Sequence, residues 1–68
     1  MTNNLRQIRQ GLDMRQVTLA MMAGIEPSLV CLIEKGKRCS QPTADKIAEA
    51  LGEDVAAVFP SYDTLRDW

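Results

Sequence analysis

The residue types that could do chemistry in this chain are few. There are two cysteines, Cys31 and Cys39, and no histidine. Two thiols without an imidazole or a further cysteine cannot complete a four-ligand zinc site within one chain. No nucleophile stands with a matched base, and no glycine-rich loop could cradle a phosphate. The thiols are therefore read as free, with no metal, no cofactor and no catalysis expected. What remains is charge. Eight Lys and Arg face nine Asp and Glu, a net charge of −1, which at first argues against a polyanionic partner. The distribution argues the other way. Residues 1–38 carry Arg6, Arg9, Arg15, Lys35, Lys37 and Arg38 against Asp13, Glu26 and Glu34, a net +3. Residues 39–68 carry Lys46 and Arg66 against six acidic residues, a net −4. Such asymmetry marks a polyanion-binding face on a nearly neutral molecule.

The elements that must position this face have to be economical. A chain of 68 residues holds one small domain, too short for barrels or doubly wound sheets. A core of this size supplies only ~3–5 kcal/mol of net stability. No apolar run approaches the ~18 residues of a membrane span. Met1-Thr2-Asn3-Asn4 lacks the regions of a signal peptide. With two cysteines, that points to the reducing cytoplasm.

Hydrophobic spacing predicts five short helices and no strands. Leu5, Ile8 and Leu12 form the stripe of a first helix, capped by Asn3 or Asn4 and ended by Gly11-Leu12-Asp13. Residues 16–23 form a second, with Leu19, Ala20 and Ala23 on one face and Gly24 as its left-handed stop. A third starts at Pro27, whose missing N–H has no helical partner to lose. It turns Val30 and Ile33 inward and stops at Gly36. Ser40 caps a fourth, with Ala44, Ile47, Ala48 and Leu51 facing the core and Gly52 at its end. Asp54 caps a short fifth carrying Val55, Val58 and Phe59, closed by Pro60. Residues 1–60 thus make the domain and 61–68 a tail, which holds Tyr62 and Trp68, two of the three aromatics.

The second and third helices, joined through Gly24-Ile25, carry the most information. Ala20 is small where the two helices must cross closely, Gly24 permits a sharp turn, and Ile25, Val30 and Ile33 lock the third helix across the second. The outer face of the third helix is then free to enter a major groove. At this point the chain resembles the Cro and phage-repressor type of helix-turn-helix domain. The resemblance covers roughly residues 5–59. It rests on Leu5-Arg6-Gln7-Ile8-Arg9, on Gln16 with Leu19-Ala20, on Ile33-Glu34-Lys35-Gly36-Lys37-Arg38, and on Ile47-Ala48-Glu49-Ala50-Leu51-Gly52.

The resemblance implies an all-α, five-helix domain of the lambda-repressor kind that binds duplex DNA as a dimer and regulates transcription, often in phages and mobile elements. It implies an ion pair between Arg9 and Glu34. It places Pro27, Ser28 and Leu32 where side chains reach base edges, with Leu29 beside them. Gln16, at the start of the second helix, and Arg15, Lys35, Lys37, Arg38 and Ser40 are candidates for phosphate contact. The departures from the family pattern are informative. Members with well-defined base readout place amides, guanidinium groups or hydroxyls on the reading helix, whereas here residues 27–33 offer Ser28 alone. Apolar side chains can still contact thymine methyl groups. Glu26 brings the wrong sign to the helix entrance, and Arg15 replaces the usual capping Ser or Thr, a cap of ~1 kcal/mol. Val17, Met21, Met22, Leu29 and Leu32 are apolar where the family is usually polar. They allow an alternative in which this face binds a protein partner. Val58, Phe59, Tyr62 and Trp68 are the expected dimer surface.

Overall fold

A computed structural model describes residues 3–60 of the chain. Among these residues it contains five helices and no strand: α1 (Leu5–Gly11), α2 (Gln16–Ala23), α3 (Pro27–Glu34), α4 (Gln41–Leu51) and α5 (Val55–Val58). Each boundary has a local cause. The side chain of Asn3 opens α1 by accepting the Leu5 N–H at 3.0 Å. Its amide nitrogen meanwhile donates to the Ile33 carbonyl at 2.9 Å. Asn4 occupies the N-cap position without a side-chain cap. It is spent on α5 instead: its backbone N–H donates to the Val58 carbonyl at 2.8 Å and its side chain to the Ala57 carbonyl at 3.1 Å.

After α1 it is Asp13, at φ 54°, that takes the left-handed conformation, one that a short polar side chain tolerates. Gly11 stays helical. Gly24 closes α2 at φ 71°, ψ 35°, and the Ile25 N–H reaches back to the Ala20 carbonyl at 2.9 Å. Gly36 turns the chain out of α3 at φ 110°. Ser40 caps α4, its Oγ accepting the Thr43 N–H at 3.4 Å. Asp54 stands at the N-cap of α5, yet its carboxylate makes no capping bond there.

The core gathers Leu5, Leu19, Ala20, Ala23, Val30, Ile33, Ala44, Ile47, Ala48, Leu51, Val58 and Phe59, joined by Cys39 from the loop before α4. Ile8, Met14, Ile25, Leu29, Ala50 and Val55 seal its edge. Val58 and Phe59 are fully buried, which corrects their expected place on a dimer surface. The hydrogen bonds from Asn4 pin α5 across the start of α1 and so turn both side chains inward. Phe59 is the largest side chain wholly removed from solvent. Tyr62 and Trp68 lie outside the described residues.

Candidate nucleic-acid interface

Between α2 and α3 the chain turns through 113° in the three residues 24–26, within the range of a helix-turn-helix unit. Two devices hold this angle. The first is packing: Ala20, Ala23, Val30 and Ile33 are buried between the helices, and Ile25 seals the turn. The second is a polar cluster at the other end of the pair. Arg9 of α1 reaches Glu34 at the end of α3, Nε donating to Oε2 at 2.6 Å and Nη2 to Oε1 at 3.2 Å. The Gln16 amide nitrogen donates to the same Oε1 at 3.0 Å. The remaining guanidinium nitrogen of Arg9 donates to the Met14 carbonyl at 2.7 Å. The side chains of Arg9 and Glu34 are 10% and 5% exposed. In such surroundings a pair adds little net stability, but removing one partner is costly. The cluster ties α1, the start of α2 and the end of α3 to one carboxylate.

This geometry changes what Gln16 has to offer. One of its amide hydrogens is committed to Glu34; the other, with its carbonyl oxygen, remains for a ligand. Arg15 precedes it at the N-cap with extended backbone and no side-chain cap. The first-turn N–H groups of α2 are therefore left for an anion. Beside them a cleft is lined by Arg6, Arg9, Gln16, Cys31, Glu34 and Lys35. Arg6 was not among the phosphate candidates from the sequence. Its spacing of three from Arg9 on α1 is the signal that puts it at this edge.

On α3, Pro27, Ser28 and Lys35 are exposed and Leu32 is 43% exposed. Leu29 packs against the core, so it does not stand with the reading residues, nor with the exposed apolar ones. Those are Val17, Met21, Met22 and Leu32, joined by Leu12. Arg15, Lys35, Lys37 and Arg38 are exposed, and none forms an ion pair among the described residues. Ser40 is exposed too, but its hydroxyl is shared with Thr43 Oγ1 at 3.0 Å while it caps α4.

Both thiols are free. Cys31 is half-buried in the cleft, whereas Cys39 is buried and burial pushes its thiol up to about 11. Among the described residues, no three His, Cys, Asp or Glu side chains stand together to hold a metal ion. No single helix among them is long and apolar enough to cross a membrane.

Comparison with known proteins agrees with this geometry. No curated protein matches the chain significantly. A family model described as helix-turn-helix matches residues 5–58, a span that takes in all five helices. Domains of this family are DNA-binding modules, not catalysts. By fold, by the α2–α3 geometry and by this match, the chain belongs to the helix-turn-helix family of the Cro and phage-repressor type.

Proposed function

We propose that the chain binds specific sequences of duplex DNA as a homodimer and regulates transcription, in the repressor-like manner of phage and mobile-element proteins. The support is the exposed outer face of α3, held at 113° to α2, with Arg6 and Lys35 lining the cleft beside it and Arg15, Lys37 and Arg38 exposed. A helix presented in this way enters the major groove while cations at its margin meet phosphates. Glu26, exposed at the entrance of α3, opposes the docking and weakens each half-site. One protomer makes few contacts, so two half-sites about one helical turn apart are required. The two free thiols suit a reducing compartment such as the cytoplasm.

The test is selection from a random duplex pool, repeated at several salt concentrations. A palindrome should be recovered, with an affinity that falls linearly in log–log form as salt rises. Failure to enrich any motif at any salt concentration overturns the sequence-specific reading.

A second reading has its own observation. The outer side of α2 exposes Val17, Met21 and Met22, with Met21 76% exposed. A helix that is apolar on both faces is normally covered, and methionine suits adaptable protein contacts. If the fold serves as a protein-interaction module, association with itself or a partner persists while no DNA motif is enriched.

A further inference from the structure

An eight-residue helix such as α3 is about 12 Å long, so its pose depends on how its two ends are held. The start is held by the turn at residues 24–26 and by the burial of Val30 in the core. The end is held from α1, by two side chains six residues apart. Arg9 takes the Glu34 carboxylate and so grips α3 through a side chain. Asn3 grips the main chain itself: its amide nitrogen donates to the Ile33 carbonyl at 2.9 Å. That carbonyl also accepts the Gly36 N–H at 3.0 Å, so both of its lone pairs are used. The Ile33 side chain is fully buried. This residue is thus fixed in the core by its side chain and to the start of α1 by its carbonyl.

The place of the bond gives it a consequence. Lys35, Lys37 and Arg38, three of the phosphate candidates, all follow Ile33 within five residues. Lys35 and Lys37 are placed in turn by N–H bonds back into α3, to the Cys31 carbonyl at 3.2 Å and the Leu32 carbonyl at 3.0 Å. Capping accounts for only half of the Asn3 side chain. Its Oδ1 accepts the Leu5 N–H as in an Asx turn, while its nitrogen reaches a partner thirty residues away. We propose that Asn3 is a positioning residue for DNA binding: its bond to the Ile33 carbonyl sets the pose in which α3 and the cationic turn behind it meet the duplex. Asn3 itself need not touch DNA. This inference rests on the DNA-binding reading above.

The experiment uses the full chain and the duplex recovered by selection. Asn3→Ser and Asn3→Asp both keep an oxygen for the Leu5 N–H and remove the amide donor. One is neutral and the other charged, so an effect common to both does not arise from charge. Gly52→Ala is the control for lost stability. It strains the end of α4 at φ 69°, where an added Cβ meets no atom within 4 Å, and leaves α3 alone. Amide hydrogen exchange of the free protein should quicken at Lys35 and Lys37 in both Asn3 variants. The comparison is with Ile25 before α3, whose N–H bonds the Ala20 carbonyl; Gly52→Ala should not change that ratio. Duplex affinity is measured at one salt concentration, under conditions where circular dichroism shows each variant folded. It should fall about threefold to tenfold in both Asn3 variants, the scale of one hydrogen bond, and stay native in Gly52→Ala. Asn3 variants that bind as the native chain does overturn the inference while leaving DNA binding intact. So does an equal loss of affinity in Gly52→Ala, or unchanged exchange at Lys35 and Lys37. A native chain that binds no duplex overturns the DNA reading, and this inference with it.

Discussion

Glu34 receives hydrogen bonds from two helices while it ends a third, so a small change there has wide consequences. Replacing it with Gln keeps the shape but leaves the Arg9 guanidinium nearly buried without a counter-charge. Such a change costs ~3–5 kcal/mol, comparable to all the net stability a domain of this size holds. Glu34→Gln is therefore expected to bring the denaturation midpoint close to zero denaturant. The double change Arg9→Met with Glu34→Leu removes both charges and should be more stable than Glu34→Gln; a double variant no better than the single one would show that the pair is not the source of the loss. The thiols differ for a related reason. Thiolate is the reactive form, and burial holds the Cys39 thiol protonated to about 11 from an ordinary 9.0. Iodoacetamide at pH 8 should thus label Cys31 alone in the native protein and both thiols after unfolding. The same shift bears on stability. The folded state holds its proton more tightly than the unfolded state, so this contribution is complete below pH 9 and is lost as pH rises from 9 towards 11. Denaturant titrations across that window should show a decline that Cys39→Ala does not share.

At the scale of the element, the start of α2 sets stability against binding. Arg15 has the extended backbone of an N-cap but no capping side chain. Arg15→Ser should accordingly raise stability by about 1 kcal/mol and yet weaken duplex binding, because the proposed phosphate contact is lost and the N–H groups left for an anion gain an internal partner. Stability and affinity moving together would refute this view of the helix start. Gly24 and Gly11 give a second contrast. At neither would an added Cβ meet any atom within 4 Å, so only the backbone decides. Gly24 is at φ 71°, where Ala is strained by about 1 kcal/mol; Gly11 is helical, where Ala should stabilise by about 0.5 kcal/mol. The same local logic explains what is legible in the sequence. Glycine and proline punctuation with apolar spacing located all five helices, and Ser40 could be named as a cap. The outward or inward face of α5 could not be read, because four residues span barely one turn and show no full period. Val58 and Phe59 were settled by the hydrogen bonds from Asn4, some fifty residues away. The bond from Gln16 to Glu34 was hidden for the same reason: it exists only once α3 has turned back across α2.

For the molecule as a whole, the question is how a chain of net charge −1 holds a polyanion. On the proposed docking face the exposed cations act at contact distance, while the acidic surplus of residues 39–68 is screened beyond ~8 Å at physiological salt. Binding should therefore be salt-sensitive in proportion to the phosphates met. Lys37→Gln with Arg38→Gln should reduce the log–log salt slope by about 2 per protomer, and an unchanged slope would remove these residues from the docking face. The proposed dimer would make so few contacts sufficient, and with Val58 and Phe59 in the core the proposed contact falls to residues 61–68. Ending the chain at residue 60 separates this proposal from simple electrostatics. Residues 61–68 carry Asp63 and Asp67 against Arg66, a net −1, so the shortened chain is neutral. If charge alone governed affinity, removing that segment would strengthen binding to DNA. If the segment joins two protomers, the shortened chain should sediment as a monomer. It should then bind a single half-site as the full chain does and lose at least about tenfold in affinity for the palindrome, because the second half-site no longer adds to the first. Every described core residue lies between positions 5 and 59, so the fold is expected to survive the cut. A shortened chain that still dimerises would move the contact onto residues 3–60, where the exposed side of α2, with Val17, Met21 and Met22, is the apolar surface best suited to carry it.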